Sequence, residues 1–325
     1  MRVAIIGCGG IGMRRGAAVE AVEGASITIG VDVVEENARK FGERFGCEYG
    51  TDWEAAVDRD DVDLVVVATA NNAHAPVSIQ AMDSKKHVLC EKPLARNPVE
   101  CMKMVQAAKQ NGVKLKTGFN HRYSHQTWKA YELFEEGAIG DVIFARGRTG
   151  HGQGEALSKR WFGNYDLSGG GTFLDNGVHL LDLSRWFMGD FVEATGYVHT
   201  HLPALGKCED NGFGIYKTAD GRICQLQSSW TQWKGYLFLE VFGDKGELLI
   251  NYDDQTCTLI RRGAETSVWQ FAGLPDLSWQ REIEEMRAAI QEDREPLANG
   301  YDGWQAVRMA YGVYESSQSG RAVAI

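Results

Sequence analysis

A short apolar run, Arg2-Val3-Ala4-Ile5-Ile6, feeds directly into Gly7-Cys8-Gly9-Gly10-Ile11-Gly12, and a helix-compatible stretch follows. Few folds accept that pattern. Gly7 permits a tight turn out of a strand, Gly9 lets the backbone approach a ligand, and Gly12 lets helix and strand pack closely, with Gly10 and Ile11 filling the G-x-G-x-x-G spacing. The helix that follows points its first amides at the phosphates of a dinucleotide. Glycine-rich turns are common, so the reading rests on context.

The context is a strand–helix alternation. Ile27-Thr28-Ile29-Gly30-Val31 ends at Asp32, 20 residues beyond Gly12. A carboxylate there accepts ribose hydroxyls and repels a 2′-phosphate, which favours NAD over NADP; the plainer alternative is a cap for a helix starting near Glu35. Val62–Ala68 reads as a strand buried on both faces, ending in the polar loop Thr69-Ala70-Asn71-Asn72-Ala73-His74 before a helix near Pro76. His74 reads either as a neighbour of the nicotinamide or, in preference, as a packing residue. Val88-Leu89-Cys90 then stops at Glu91-Lys92-Pro93, which places Lys92 at the sheet edge where ligands lie in open α/β sheets. A helix from Pro98 to Gln110, closed by Asn111-Gly112, and a last strand Val113–Gly118 complete a parallel sheet. The expected domains are 1–119 and 120–325, joined by a hinge.

Beyond Gly118 the rhythm changes. Asn120-His121-Arg122-Tyr123 leads into a helix to about Glu136, and β-like runs follow at Asp141–Thr149, Glu193–His201, Asn211–Thr218, Arg222–Trp233, Tyr236–Phe242 and Glu247–Asn251. They predict an α+β domain with a largely antiparallel, open-faced sheet, closed by helices at about Trp279–Asp293 and Asp302–Ser319. Ser168-Gly169-Gly170-Gly171-Thr172 precedes an apolar stretch that predicts a helix from about Phe173 to Met188. On it Asp175, His179 and Asp182 share one face, a row suited to handling protons. A capping box at Thr172 and Asp175, with His179 as a satisfied core histidine, is the plainer alternative.

Other polar groups are less specific. Arg146, Arg148, Lys159 and Arg160 form a loose basic cluster that either holds an anionic substrate group or offsets local carboxylates. His199-x-His201 lacks a third ligand at metal spacing, so no metal is expected. Trp230-Thr231-Gln232-Trp233-Lys234 reads as an aromatic hairpin tip of the kind that makes subunit contacts. Seven scattered cysteines without C-x-x-C spacing argue against a disulfide framework or a zinc-thiolate knuckle.

Composition narrows the partners. The 325 residues are 44% hydrophobic and 24% charged, which suffices for two cores. A net charge of -10 argues against nucleic acid. No run of about 18 apolar residues exists to span a membrane. The first strand begins at once, with no basic leader, so the cytoplasm is expected.

Four features carry a resemblance: Gly7-x-Gly9-x-x-Gly12, Glu91-Lys92-Pro93, the Gly169–Asp182 stretch with its D-x-x-x-H pair, and the C-terminal Tyr314-Glu315-Ser316. With them the chain resembles the Gfo/Idh/MocA oxidoreductases, which include inositol and sugar dehydrogenases. The resemblance implies an N-terminal Rossmann domain with a doubly wound parallel sheet, and a second domain whose open sheet builds homodimers or homotetramers. It also implies hydride transfer between NAD and a ring secondary alcohol of a sugar, sugar derivative or inositol. On that pattern Lys92 touches the reacting hydroxyl, His179 is the general acid/base, and Asp175 binds substrate and supports Lys92. Cofactor contacts are expected from Gly7, Gly9, Gly10, Ile11, Gly12, Asp32, Thr69, Asn71, His74, Glu91 and Lys92. Substrate contacts are expected from Asn120, Arg122, Arg148 and Trp161 besides the catalytic three. The resemblance also implies a cis Lys92–Pro93 bond. Two departures, no proline in Thr69-Ala70-Asn71 and Phe162 where relatives carry arginine, bear on the substrate. The alternatives are an NADP-linked reductase of a keto- or anhydro-sugar and a non-catalytic NAD(P)-binding regulator. A regulator has no use for Lys92, Asp175 and His179 together, which favours an enzyme.

Overall fold

Runs of β-branched residues without alternation form strands that are buried on both faces, and Leu64–Val67 is one of them. The computed structural model describes all residues 1–325 and divides them into two units. The first unit comprises Met1–Asn120 and Leu277–Trp304; the second comprises His121–Asp276 and Gln305–Ile325. The chain therefore changes unit after Asn120, after Asp276 and after Trp304, where one boundary near residue 119 was expected.

The first unit runs β1 (Arg2–Ile6), α1 (Gly10–Glu20), β2 (Ser26–Val31), α2 (Glu35–Phe45), β3 (Glu48–Gly50), α3 (Trp53–Val57), β4 (Leu64–Val67), α4 (Asn71–Asp83), β5 (His87–Glu91), α5 (Pro98–Asn111) and β6 (Leu115–Gly118). All six strands are parallel in the order β3-β2-β1-β4-β5-β6. The order reverses between β1 and β4, which opens a crevice at the strands' C-terminal ends. Gly46 and Gly112, at φ 64 and 67, stop α2 and α5 in the left-handed conformation. Val3, Ile5, Leu64, Val66 and Leu89 pack under Val19 and Phe41, joined by Ile283 and Met286 from the returning segment. Helix α4 starts at Asn71 and carries Pro76 inside its second turn, where the missing N–H forfeits one backbone bond. Asn71 and His74 thus belong to a helical turn rather than a loop.

The second unit contains α6 (His125–Glu135), β7 (Val142–Gly150), α7 (Gly154–Ser158), α8 (Tyr165–Ser168), α9 (Thr172–Asp175), α10 (Gly177–Met188), β8 (Phe191–His199), β9 (Asn211–Thr218), β10 (Ile223–Ser229), β11 (Tyr236–Gly243), β12 (Glu247–Asn251), β13 (Thr256–Ile260) and β14 (Ser267–Gln270). Helix α11 (Ser278–Gln291) belongs to the first unit; α12 (Gly300–Ser319) and β15 (Val323–Ala324) end the chain. The nine-stranded sheet runs β14-β13-β12-β11-β7-β10-β9-β8-β15, antiparallel throughout except for the β7–β10 pair. Burial alternates along β9 and β10, as it must when one face is covered and the other open. Helix α10 covers β7, β10 and β11, while α6 covers β12 and β13. The run expected to reach Trp233 stops at Ser229, and β13 and β14 extend the sheet past Asn251. The single helix expected over Phe173–Met188 is two, joined at Asn176.

Candidate active site

The glycine loop is shaped by crowding on one side and space on the other. At Gly7, with φ +96, a Cβ would lie 2.5 Å from the Ala68 carbonyl oxygen, and at Gly12 it would lie 1.9 Å from that of Gly7. Only glycine fits either position. At Gly9 and Gly10 nothing stands within 4 Å of where a Cβ would be. Gly9 is the N-cap of α1 and brings no side chain to the helix's first amides. A backbone cradle left open in this way suits a pyrophosphate. Asp32 closes one side: Oδ2 accepts from the Cys8 amide and Oδ1 from the Val34 amide, both at 2.9 Å. It orders the glycine turn and the approach to α2 together, rather than only capping that helix. Exposed Ile11 and Val33 flank this region with apolar surface, as an adenine ring requires. These residues fit a dinucleotide.

Lys92 follows β5 at the same sheet edge, and its peptide bond to Pro93 is cis. Its neighbours are held firmly. Glu91 accepts from Arg15 Nε at 2.6 Å, and Arg15 Nη1 pairs with Glu282 on α11. The guanidinium is fully buried and lies 4.5 Å from the Trp279 ring. Burial would pull Arg15 down, but Glu282 and Glu91 outweigh it and hold its charge. His74, also buried, places Nδ1 2.9 Å from the Pro93 carbonyl and Nε2 3.2 Å from that of Thr69. Burial pulls its imidazole below the ordinary value. His74 therefore packs as a strut between two backbone turns. Thr69 Oγ1 donates to the Ala70 carbonyl, and Asn71 is buried at the head of α4. Asn120, at the end of this unit, donates from Nδ2 to Ser278 Oγ at 3.3 Å.

In the second unit Asp175 ends α9 and His179 lies in the first turn of α10. His179 is buried, and the His121 ring stacks on it with centroids 4.1 Å apart. Tyr252 stacks on the other face of His121 at 4.8 Å and donates its hydroxyl to the His121 carbonyl. No local pattern signals this three-ring stack, because its members are brought together only by the fold. Asp182, one turn further along α10, is engaged by an arginine. Its carboxylate takes both Oδ atoms to Arg122, at 2.8 and 2.5 Å, with both side chains buried. Arg122 also lies 5.1 Å from the Trp186 ring, so its guanidinium ties the 120–123 turn to α10 rather than standing open to substrate.

Other expected ligands stand elsewhere. Arg148 is exposed on the open face of the sheet, over the rings of Tyr236 and Phe238, and Arg146 pairs there with Glu240. Helix α10, which carries His179, covers the opposite face: a Cβ on Gly147 would meet Leu180. Strand alternation puts the two arginines on one side, and the side is the outer one. Lys159 and Arg160 are exposed, and Trp161 stacks on Phe162 at 3.8 Å. Strand β8 ends at His199, so His201 lies outside it. Trp230 is buried against Leu157, Leu205 and Cys208, while Trp233 is fully exposed.

Comparison with known proteins places the chain. Residues 1–119 match the model of an oxidoreductase family with an NAD-binding Rossmann fold, and residues 127–249 match the GFO/IDH/MocA C-terminal domain. A myo-inositol 2-dehydrogenase of Thermotoga maritima is 28% identical, over 99% of this chain and 98% of that protein. A 1,5-anhydro-D-fructose reductase of Ensifer adhaerens is 30% identical, over 94% and 95%. Among solved structures, a levoglucosan dehydrogenase in complex with NADH and levoglucosan has the same fold, with a TM-score of 0.93 at 23% identity over 100% of this chain and 99% of that one.

Proposed function

The chain belongs to the Gfo/Idh/MocA oxidoreductase family, and on that footing we propose that it is an NAD-dependent dehydrogenase oxidising a ring secondary alcohol of a sugar, a sugar derivative or an inositol. One observation carries the reading: an open glycine cradle, Asp32 and Lys92 share the C-terminal edge of one parallel sheet. The relative named a myo-inositol 2-dehydrogenase points the same way, while the one named a 1,5-anhydro-D-fructose reductase fits the reductase alternative.

NAD supplies the hydride acceptor when bound. The backbone at Gly9 and Gly10 and the first amides of α1 would hold its phosphates, and Asp32 would accept from the adenosine ribose hydroxyls. Loss of a hydride from a carbinol requires its proton to leave too. We assign that proton to the His179 imidazole, whose stacking on His121 fixes the plane of the ring. The Lys92 ammonium steadies the developing alkoxide electrostatically, and Asp175 binds a substrate hydroxyl. The open face of the nine-stranded sheet, with Tyr197, Phe213, Ile215 and Ile223 exposed, supports self-association through that face. Seven free thiols suit a reducing compartment such as the cytoplasm, and no helix is long and apolar enough to cross a membrane.

Steady-state assays with NAD and a panel of inositols, pyranoses and anhydro-sugars test the reading. At least one member is expected to be oxidised, with Lys92→Ala lowering kcat/KM by about 10²–10⁴-fold. A panel in which nothing reduces NAD would sink it. Titration with NADH and NADPH separates the cofactors: NADH is expected to bind at least about tenfold more tightly, or about 1.4 kcal/mol. Tighter NADPH binding would point instead to an NADP-linked reductase.

A further inference from the structure

The glycine triplet Gly169-Gly170-Gly171 takes no part in the chemistry proposed above, yet other residues fill the space its absent side chains leave. A Cβ on Gly171 would lie 1.9 Å from the carbonyl oxygen of Glu209, and one on Gly170 would lie 2.5 Å from the Tyr314 hydroxyl. Glu209, in the connection from β8 to β9, is 4% exposed. Its Oε2 accepts from the Gly171 amide at 2.7 Å. Its Oε1 accepts from the Phe173 amide at 2.8 Å and from the Tyr314 hydroxyl at 2.9 Å. Its own carbonyl accepts from the Thr172 amide at 2.8 Å. Three consecutive amides at the start of α9 thus end on one residue. Tyr311 adds a bond from its hydroxyl to the Gly169 carbonyl. The chain of bonds then runs onward: Asp175 N–H to the Gly171 carbonyl, Asn176 N–H to that of Thr172, and His179 N–H to that of Asn176.

We infer that Glu209 is a positioning residue for the reaction, its carboxylate clasping Gly171–Phe173 and so fixing where Asp175 and His179 stand. The inference rests on the assignment of those two residues under the proposed function. The glycines are then not a mobile substrate loop. They are the place where a buried carboxylate and a tyrosine close on the backbone, and any side chain there would force the clasp open. A glutamine in place of Glu209 keeps the shape but turns an NH2 toward an N–H donor, so at least one amide loses its acceptor. Burial pushes the carboxyl up to about 7 against the pull of its hydrogen bonds.

The test uses the full chain, with hydrogen exchange by mass spectrometry over residues 169–180 and steady-state kinetics on a substrate from the panel. Glu209→Gln is expected to raise exchange in that stretch at least about tenfold. It is also expected to lower kcat by about 30- to 100-fold, the scale of a small misplacement of reacting groups. The KM for NAD stays within about twofold, because the glycine cradle is untouched. Tyr314→Phe, which keeps both amide bonds, is expected to lose less, and Glu209→Asp to fall between it and the glutamine variant. Wild-type exchange in Glu209→Gln overturns the clasp whatever the kinetics show. A loss confined to KM for NAD also overturns it. If Glu209→Gln does not fold, Tyr314→Phe decides: a few-fold fall in kcat with faster exchange at 169–173 supports the clasp, and wild-type behaviour in both overturns it. The underlying assignment fails differently, through wild-type turnover in His179→Ala while Glu209→Gln still speeds exchange.

Discussion

Glu91 and Glu209 are buried carboxylates that each hold the backbone leading to a proposed catalytic side chain, Lys92 in one unit and His179 in the other. Glu91 meets a guanidinium, which in turn meets Glu282, so a single positive charge sits between two negative ones. Glu209 meets two amides and a phenol. The difference is one of where the counter-charge comes from. A full cation anchors its partners strongly but leaves two stranded charges if it is lost. Neutral donors orient a carboxylate as well, yet they do not offset the cost of burying it, and the group keeps its proton to higher pH.

The largest expected effect lies at the ends of the two clamps. Lys92→Ala and His179→Ala should each reduce kcat/KM by about 10²–10⁴-fold, read by steady-state kinetics. If only one of them does so, the two clamps do not serve one reaction. Next comes Arg15→Ala, which strands Glu91 and Glu282 and should cost about 3–5 kcal/mol by denaturant unfolding. Glu209→Gln leaves an unmet amide but no stranded charge, and should cost only about 1–3 kcal/mol. Equal losses would erase the distinction drawn above.

The pH dependences should be opposite in sign. The folded Glu209 carboxyl sits at about 7 against an ordinary 4.5, so between those values the native state binds more protons than the unfolded one. Its contribution is present on the acid side and is lost as pH rises from about 4.5 through 7, by about 3 kcal/mol. Glu209→Gln should therefore flatten the fall of Tm from pH 5 to 8. His74 is lowered by burial, so its native state binds fewer protons, and its contribution is lost as pH falls below about 6.5. His74→Gln should flatten the acid side, by a smaller amount. Two variants that change the curve in the same direction would break the comparison.

Much of the first unit was legible because its signals are short-range. The glycine spacing, the unbroken run at Val65-Val66-Val67 and the stop at Asn111-Gly112 each lie within a few residues of what they determine. The antiparallel sheet is legible by alternation, but alternation does not tell that Arg146 and Arg148 stand on its open face. Asp182 looked like a neighbour of His179 by helical spacing, whereas its partner, Arg122, lies 60 residues earlier in the chain. The His179–His121–Tyr252 stack and the Glu209 clasp are not legible for the same reason, as no local pattern encodes a contact between separate elements.

The return of Leu277–Trp304 to the first unit has a consequence during synthesis. Arg15 and Lys116 are fully buried, and each needs a carboxylate that is made much later: 267 residues separate Arg15 from Glu282, and 169 separate Lys116 from Glu285. At about 5–20 residues per second on the ribosome, roughly 10–30 seconds pass between translation of Lys116 and arrival of its partner. Over that interval the nascent sheet cannot close over Lys116 without stranding it, Arg15 has only Glu91 to meet, and the apolar surface that Ile283 and Met286 later cover is open. A ribosome-bound chain of this protein therefore passes through a defined period when holdase chaperones have a reason to bind it.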